Sequence, residues 1–258
     1  MADVIHAWHP DVPLVQEVLH AQFEHHAYPS HTHDSWTVLL VDQGTVTYDL
    51  DRHEHRTTNS TVTLLPPQVP HDGRSATPDV PFRKRVLYLE PEWLSLSAVD
   101  AAAETPMIFD PNVTTTVDQI HATLNDPADV LAAECGVLAL RDLVQPHLKL
   151  PVDTAADKPL ARRLRHLLDD RLEETFTIAE AAADLSTHRS HLVRVFTQSY
   201  GIAPHQYVIG RRVDRARRLL LTGHSPAEAA AQSGFHDQSH LTRHFRRTLG
   251  TTPGVFAA

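Results

Sequence analysis

Residues 36–50, WTVLLVDQGTVTYDL, are dense in β-branched and aromatic side chains and broken only at Asp42-Gln43-Gly44, which predicts two strands joined by a hairpin turn. Further strand-like runs cover residues 60–65, stopped by Pro66 and Pro67, and residues 82–89. Short strands punctuated by turns predict a small antiparallel barrel or sandwich. After Pro111 the apolar period becomes helical: Val117, Ile120 and Leu124, then Val130, Leu131, Val137, Leu138, Leu140, Leu143, Val144 and Leu148. Asp126-Pro127 and Pro146 bound the main helix, whose other face carries Glu134, Arg141 and Asp142. Such a helix completes the barrel's core, pairs with its copy in a dimer, or does both. Residues 151–159, PVDTAADKP, hold two prolines and no apolar period, and read as a linker.

Beyond the linker the pattern repeats. Ala179-Glu180-Ala181-Ala182-Ala183 recurs 48 positions later as Ala227-Glu228-Ala229-Ala230-Ala231. From Ser190 the offset is 49, pairing Ser190, His191, Leu192, Arg194, Phe196, Gly201 and Pro204 with Ser239, His240, Leu241, Arg243, Phe245, Gly250 and Pro253. Each copy opens on a capping-box pattern, Thr177 to Glu180 and Ser225 to Glu228, followed by a short Ala-rich helix, a turn and a longer helix ending near glycine. That is a helix-turn-helix, twice, in which small alanines let two steeply crossed helices approach. In the first copy Leu192, Val195, Phe196 and Tyr200 form the inward stripe, leaving Arg189, Ser190, Val193, Arg194 and Thr197 outward. In the second, Leu241, Phe245 and Leu249 face in, and Gln238, Ser239, Thr242, Arg243 and Arg246 face out. Arg reads guanine, Gln pairs with adenine, and Thr or Val meets the thymine methyl, so these outward sets are candidate base readers. Arg247 joins Arg246 as a candidate phosphate contact. Residues 205–222 between the copies make one helix, ~27 Å long at 1.5 Å per residue, long enough to place two recognition helices in successive major grooves.

Charge sharpens this division. Residues 1–159 carry a net −14 and residues 160–258 a net +5, and 15 of the 18 prolines precede Leu160. A basic all-helical part joined to an acidic β-rich part suggests nucleic-acid binding in the former and a different task in the latter. No run approaches the roughly 18 apolar residues of a membrane span, and the first residues lack a basic stretch ahead of an apolar one, so a cytoplasmic protein without membrane contact is expected. The single cysteine, Cys135, reads as a buried helix residue. RNA binding is disfavoured by the lack of aromatic stacking platforms.

The segments GFHDQSHLTRHFRRTLGTTPGVF and LVRVFTQSYGIAPHQYV closely resemble the AraC/XylS family of bacterial transcription regulators over nearly 100 residues. Gly234-Phe235, Gln238-Ser239, Arg243, Phe245, Gly250 and Pro253 fall where the family signature places them, whereas Thr187 and His188 depart from it at the start of the first recognition helix. HTHDSWTVLLVDQGTVTYD and LLPPQVPH are similar to the family's cupin-type effector-binding and dimerisation domain. The resemblance implies an α+β protein. It has a cupin-like β-barrel with appended helices over residues 1–150, a linker over 151–159, and over 160–258 an all-α domain of two helix-turn-helix motifs joined by a long helix. The implied task is sequence-specific binding of double-stranded DNA under control of an unknown small-molecule effector, by a homodimer, with RNA polymerase as a further candidate partner and no enzymatic activity.

His31-Thr32-His33 followed by His71 is similar to the cupin arrangement in which histidines hold a metal. Neutral imidazoles at i and i+2 of a strand share a face and suit zinc, iron, nickel or copper. The glutamate that metal cupins place shortly after the paired histidines is missing, so no metal or other cofactor is expected, with His31, His33 and His71 kept as the candidate ligands. A metal-dependent cupin enzyme fused to a DNA-binding domain is the competing reading. In the regulator reading the barrel holds the effector, lined by His33, Trp36, Tyr48, His71, Arg83, Arg85 and Tyr88.

Overall fold

The computed structural model describes residues 3–24, 27–77, 80–150 and 157–256. The chain forms two compact units, residues 1–127 with 136–152, and residues 128–135 with 153–258. The single division expected at 151–159 therefore overlooks a short return: residues 128–135 join the second unit, where Asp129 and Glu134 find hydrogen-bond donors. Of the expected linker, residues 151–156 lie outside the described residues. Asp157 caps the following helix and Lys158 and Pro159 already belong to it.

The first unit contains strands β1 (Val4–Trp8), β2 (Val15–Phe23), β3 (Tyr28–His31), β4 (Trp36–Gln43), β5 (Val46–Leu50), β6 (His53–Thr57), β7 (Val62–Leu65), β8 (His71–Ser75), β9 (Phe82–Leu89) and β10 (Met107–Ile108). They build two antiparallel sheets, in the orders β1-β2-β9-β4-β7-β10 and β3-β8-β5-β6. The hairpin expected between β4 and β5 is not formed, because β4 pairs with β7 and β9 while β5 pairs with β6 and β8. The turn at Gly44 carries the chain from one sheet to the other. Its φ is +79°, and a Cβ there would lie 2.7 Å from the Pro81 carbonyl oxygen, so glycine alone fits.

Residues 36–41 of β4 are buried without alternation, as in a strand covered on both faces. On one side Trp36, fully buried, donates from its indole to the Leu94 carbonyl at 3.1 Å. Trp93 likewise donates to the Val137 carbonyl at 2.9 Å. Truncation of such a buried Trp costs about 3–5 kcal/mol. The other side of the sheet faces β3, β5 and β8 across Phe23, Val41, Val46 and Phe82. Helices α1 (Val99–Glu104), α2 (Pro111–Leu124) and α3 (Val130–Val144) follow, with Asp110 capping α2 and Pro111 at its first turn. In α3, Val137, Leu138, Leu140 and Val144 are buried and Leu143 only partly so. Glu134, expected on an outer face, is fully buried.

The second unit holds α4 (Lys158–Asp170), α5 (Ile178–Asp184), α6 (Arg189–Tyr200), α7 (Pro204–Leu221), α8 (Pro226–Gln232), α9 (Gln238–Leu249) and α10 (Pro253–Phe256). The sequence repeat is also a repeat of shape, with helices of 7 and 12 residues in each copy. Both capping boxes form: Thr177 with Glu180 and Ser225 with Glu228 each exchange side-chain and backbone bonds, worth about 1 kcal/mol per cap. Ala229, Ala230, Leu241 and Phe245 pack with Val213, Ala216 and Leu220 of α7 in one core. The close approach extends to Gly234, with φ +78°, where a Cβ would stand 2.3 Å from the Leu172 carbonyl oxygen. Buried Arg212 of α7 secures that same loop by donating to the Leu172 and Glu174 carbonyls at 2.7 and 2.6 Å.

Candidate functional site

In the first unit a cavity opens between the two sheets. β9 alternates across its sheet, so Phe82, Lys84, Val86 and Tyr88 line this cavity, together with Thr37 and Leu39 of β4 and Tyr48 of β5. His33, Tyr48, His71 and Tyr88 of the expected lining lie on its wall. Trp36, Arg83 and Arg85 do not, because each is one residue out of phase with the inward set. Trp36 is core. Arg85 bonds instead to Asp42 at 3.0 Å and Asp118 at 2.6 Å, and Arg83 lies 3.7 Å from Asp42. Lys84 was legible from the same alternation and was overlooked in favour of the arginines beside it.

One end of the cavity gathers three imidazoles. His31 and His71 are cross-strand partners of β3 and β8, with ring centroids 4.6 Å apart, and His33 sits 4.7 Å from His71 just beyond the end of β3. One ring nitrogen of each lies within 4.8 Å of the other two. Each Nδ1 donates to a backbone carbonyl: His31 to Pro29 at 2.8 Å, His33 to Ser35 at 3.1 Å and His71 to Val69 at 3.0 Å. That places the proton on Nδ1 and leaves the lone pair on Nε2. Burial lowers the pKa of His33 and brings that of His71 to about 4, so both rings are neutral at pH 7. Backbone carbonyls at the far nitrogen are the outer-shell partners that metal-ligating histidines use. The set fits a divalent transition metal, because three protein nitrogens with an open position need no glutamate. The Thr37 hydroxyl, 3.0 Å from His33 Nε2, also reaches that lone pair.

The second unit presents α6 and α9. In α9, Gln238, Ser239, Arg243, Arg246 and Arg247 are exposed and Thr242 half-buried. Leu249, expected inside, is exposed, since Phe256 of α10 takes the core position against Phe245 at 5.4 Å. In α6, Thr197 is exposed and Arg189 and Arg194 are half-buried, but Ser190 and Val193 are buried. α6 packs on α4 as well as on α5 and α7. Tyr200 is half-buried. Arg194 Nη2 lies 2.9 Å from His191 Nδ1, within its own helix. His188 gives no side-chain cap to α6, whereas Asp237 caps α9 by accepting from His240 N–H.

Residues 128–135 reach into this unit at three places. Asp129, nearly buried, accepts from His240 Nε2 at 3.2 Å, from His244 Nε2 at 3.3 Å and from Arg243 Nη2 at 2.9 Å. Burial opposes its ionisation, but those hydrogen bonds and the Arg243 charge outweigh it and hold the carboxyl well below the usual range. Glu134 accepts from the Ile178 and Ala179 amides at 2.6 and 2.9 Å, and burial raises its pKa to about 7. The Cys135 thiol, buried beside the His205 amide, is likewise pushed up. Sequence reasoning missed this strap, because nothing in Asp129 or Glu134 alone distinguishes them from solvated acids.

Two family profiles match the chain: an AraC-like ligand binding domain over residues 13–140 and a helix-turn-helix domain over residues 181–258. An uncharacterized HTH-type transcriptional regulator of Bacillus subtilis, YbfI, is 24% identical over 83% of this chain and 81% of its own length. A putative AraC-like transcription regulator of Streptomyces antibioticus is 32% identical over 55% of this chain and 49% of its own. Among solved structures, the DNA-binding domain of AdpA, a global transcriptional factor, in complex with a target DNA, is 35% identical over 39% of this chain and 91% of that one, with a TM-score of 0.36.

Proposed function

The chain belongs to the AraC/XylS family of transcription regulators, and from that premise we propose that a small molecule held between its sheets controls how its two recognition helices engage an operator. The protein is a DNA-binding regulator with an N-terminal ligand-binding domain. The observation that carries the finer reading is the conjunction of a duplicated helix pair, with Gln238, Ser239, Arg243, Arg246 and Arg247 exposed on its second copy, and a polar cavity in the other unit. Arg194 and Arg243, at equivalent places in the repeat, are the base-reading candidates, supported by Arg189, Thr197, Gln238, Ser239 and Thr242. Arg246 and Arg247 serve phosphates. Arg243 reads a base only after leaving Asp129, so that ion pair competes directly with DNA.

Dimerisation through the 117–149 region fits the partial exposure of Leu143, and RNA polymerase is the further partner of a regulator seated at a promoter. No helix among the described residues is long and apolar enough to cross a membrane. A protein with this task works beside the chromosome, in the cytoplasm. A metal on His31, His33 and His71 would offer a Lewis-acidic open position to a donor atom of the effector. The relatives are named as regulators, which favours that use over an enzymatic one.

Genomic footprinting with the full-length protein tests the reading. Protection of discrete sites, each spanning two adjacent major grooves and altered by Arg243→Ala, is expected. Binding without site preference would overturn it.

A further inference from the structure

One side chain in the cavity carries a charge that the wall does not answer. Lys84 comes from the middle of β9, with Phe82 and Val86 before and after it on the inward face. Its Nζ stands 4.0 Å from the ring centroid of Tyr28 and 5.9 Å from that of Phe23, an aromatic cradle that supplies no formal charge. Among the described residues no carboxylate lies within ion-pair distance of it. Asp72, on the same wall, is already engaged: its Oδ1 accepts from the Asp49 amide at 2.8 Å and lies 3.4 Å from Arg74 Nη1. Burial lowers the Lys84 pKa to about 8, which leaves the ammonium mostly charged at pH 7. Tyr48, contributed by the other sheet, adds a buried hydroxyl that makes no hydrogen bond.

A half-buried, unanswered ammonium still costs a fold something, and an apolar residue in its place would be cheaper. Its position in a cavity suggests that the partner arrives from outside. On the reading that this cavity holds the effector, we propose that the effector is a small organic monoacid whose carboxylate pairs with Lys84. One ammonium matches one negative charge. A phosphate would call for an arginine fork or a helix N-terminus, and Arg83 and Arg85 lie on the other face of β9. Leu39, Val46, Leu65, Phe82 and Val86 form the apolar part of the wall and suit a hydrocarbon or aromatic body. A neutral polyol would bury the ammonium further without answering it.

Thermal melts and calorimetry on the full-length protein test this, with benzoate and hexanoate against benzamide and hexanamide, and inorganic phosphate as a separate arm. The acids are expected to raise Tm and bind at least tenfold more tightly than their amides, with no effect of phosphate. Lys84→Met should raise the Tm of the unliganded protein and weaken acid binding at least tenfold. Treatment with chelator should leave acid binding in place, which separates recognition by Lys84 from coordination to a metal on the histidines. Equal binding of acids and amides, wild-type acid affinity in Lys84→Met, loss of acid binding on chelation, or failure of both acids to bind each overturns the proposal. Fluorescence anisotropy with a random-sequence duplex keeps the two readings apart. Loss of DNA binding by the wild type would count against the regulator reading, whereas intact DNA binding with no response to acids would count against this proposal alone.

Discussion

The two histidine clusters look alike in composition and differ in where their protons sit. His31, His33 and His71 in the first unit and His240 and His244 with Asp129 in the second each bring three potential ligand atoms within 4.8 Å. In the first cluster every Nδ1 meets a backbone carbonyl, so each imidazole keeps an Nε2 lone pair. In the second, the His236 amide donates to His240 Nδ1 at 3.3 Å, which places the proton on Nε2, directed at Asp129. Arg243 on the same carboxylate adds a positive charge that a metal would have to displace or tolerate. The first cluster is arranged to ligate and the second to donate. The backbone atoms opposite the rings of His31, His33, His71 and His240 decide between them, and the count of histidines does not.

Titration with cobalt or zinc is the sharpest way to break that contrast. One ion per chain is expected, and His71→Ala should weaken its binding by at least the ~100-fold that loss of an outer-shell partner can cost. His240→Ala should leave metal affinity unchanged. Metal binding that depends on His240, or none at all, would show that the tautomer argument misassigns the clusters.

Asp129→Ala removes the acceptor of two histidines and the partner of Arg243, and should destabilise the second unit by about 3 kcal/mol, as for a broken buried pair. Acid acts on both units. The folded pKa of His71 is lowered from 6.5 to about 4, so the stability linked to it is present above pH 6.5 and is lost as the pH falls toward 4. The Asp129 carboxyl is depressed below its ordinary 3.8, so its contribution is present above that value and is lost only below it. Trp8, Trp36 and Trp93 all lie in the first unit. Tryptophan emission should therefore shift between pH 6.5 and 4. His205 in α7 of the second unit, likewise lowered by burial to about 4, adds a loss of stability there over the same range. Emission that stays constant down to pH 4 would sink the His71 assignment.

What could be read from the chain follows the same physics. The duplicated helix pair was legible to within a residue or two, because capping boxes, alanines and glycine stops are local signals that each copy repeats. The β-rich unit was legible as a class but not in its pairing. β6 and β8, HEHRT and HDGRS, are too polar to read as strands, and the turn after β4 connects two sheets instead of folding one. The cavity wall was half legible. Its errors at Trp36, Arg83 and Arg85 are errors of parity, since a strand's inward face is fixed by one residue's phase. Ser190 and Val193 are buried although they lie opposite the apolar stripe, which no periodicity in α6 records. The strap from 128 to 135 was invisible because Asp129 meets His240 across 111 positions.

The role of Arg243 gives the finest test of the second cluster as a set of donors. In wild type its guanidinium is divided between Asp129 and any base it reads, so its two tasks have opposite signatures. If Arg243 reads guanine, Arg243→Ala should weaken a footprinted site about tenfold, for a bidentate contact of roughly 1–3 kcal/mol, and leave binding to scrambled duplex nearly intact. Asp129→Asn, which keeps an oxygen for the histidines but lowers the hold on Arg243, should then strengthen the same site by a few-fold. Arg246→Ala, at an exposed place one turn nearer the end of α9, should weaken all sequences alike and reduce the slope of log affinity against log salt by about 1. If Arg243 serves only Asp129, the expected pattern inverts: Arg243→Ala lowers Tm about as much as Asp129→Asn does, discrimination between the two duplexes stays at the wild-type ratio, and base reading passes to Gln238 and Thr242.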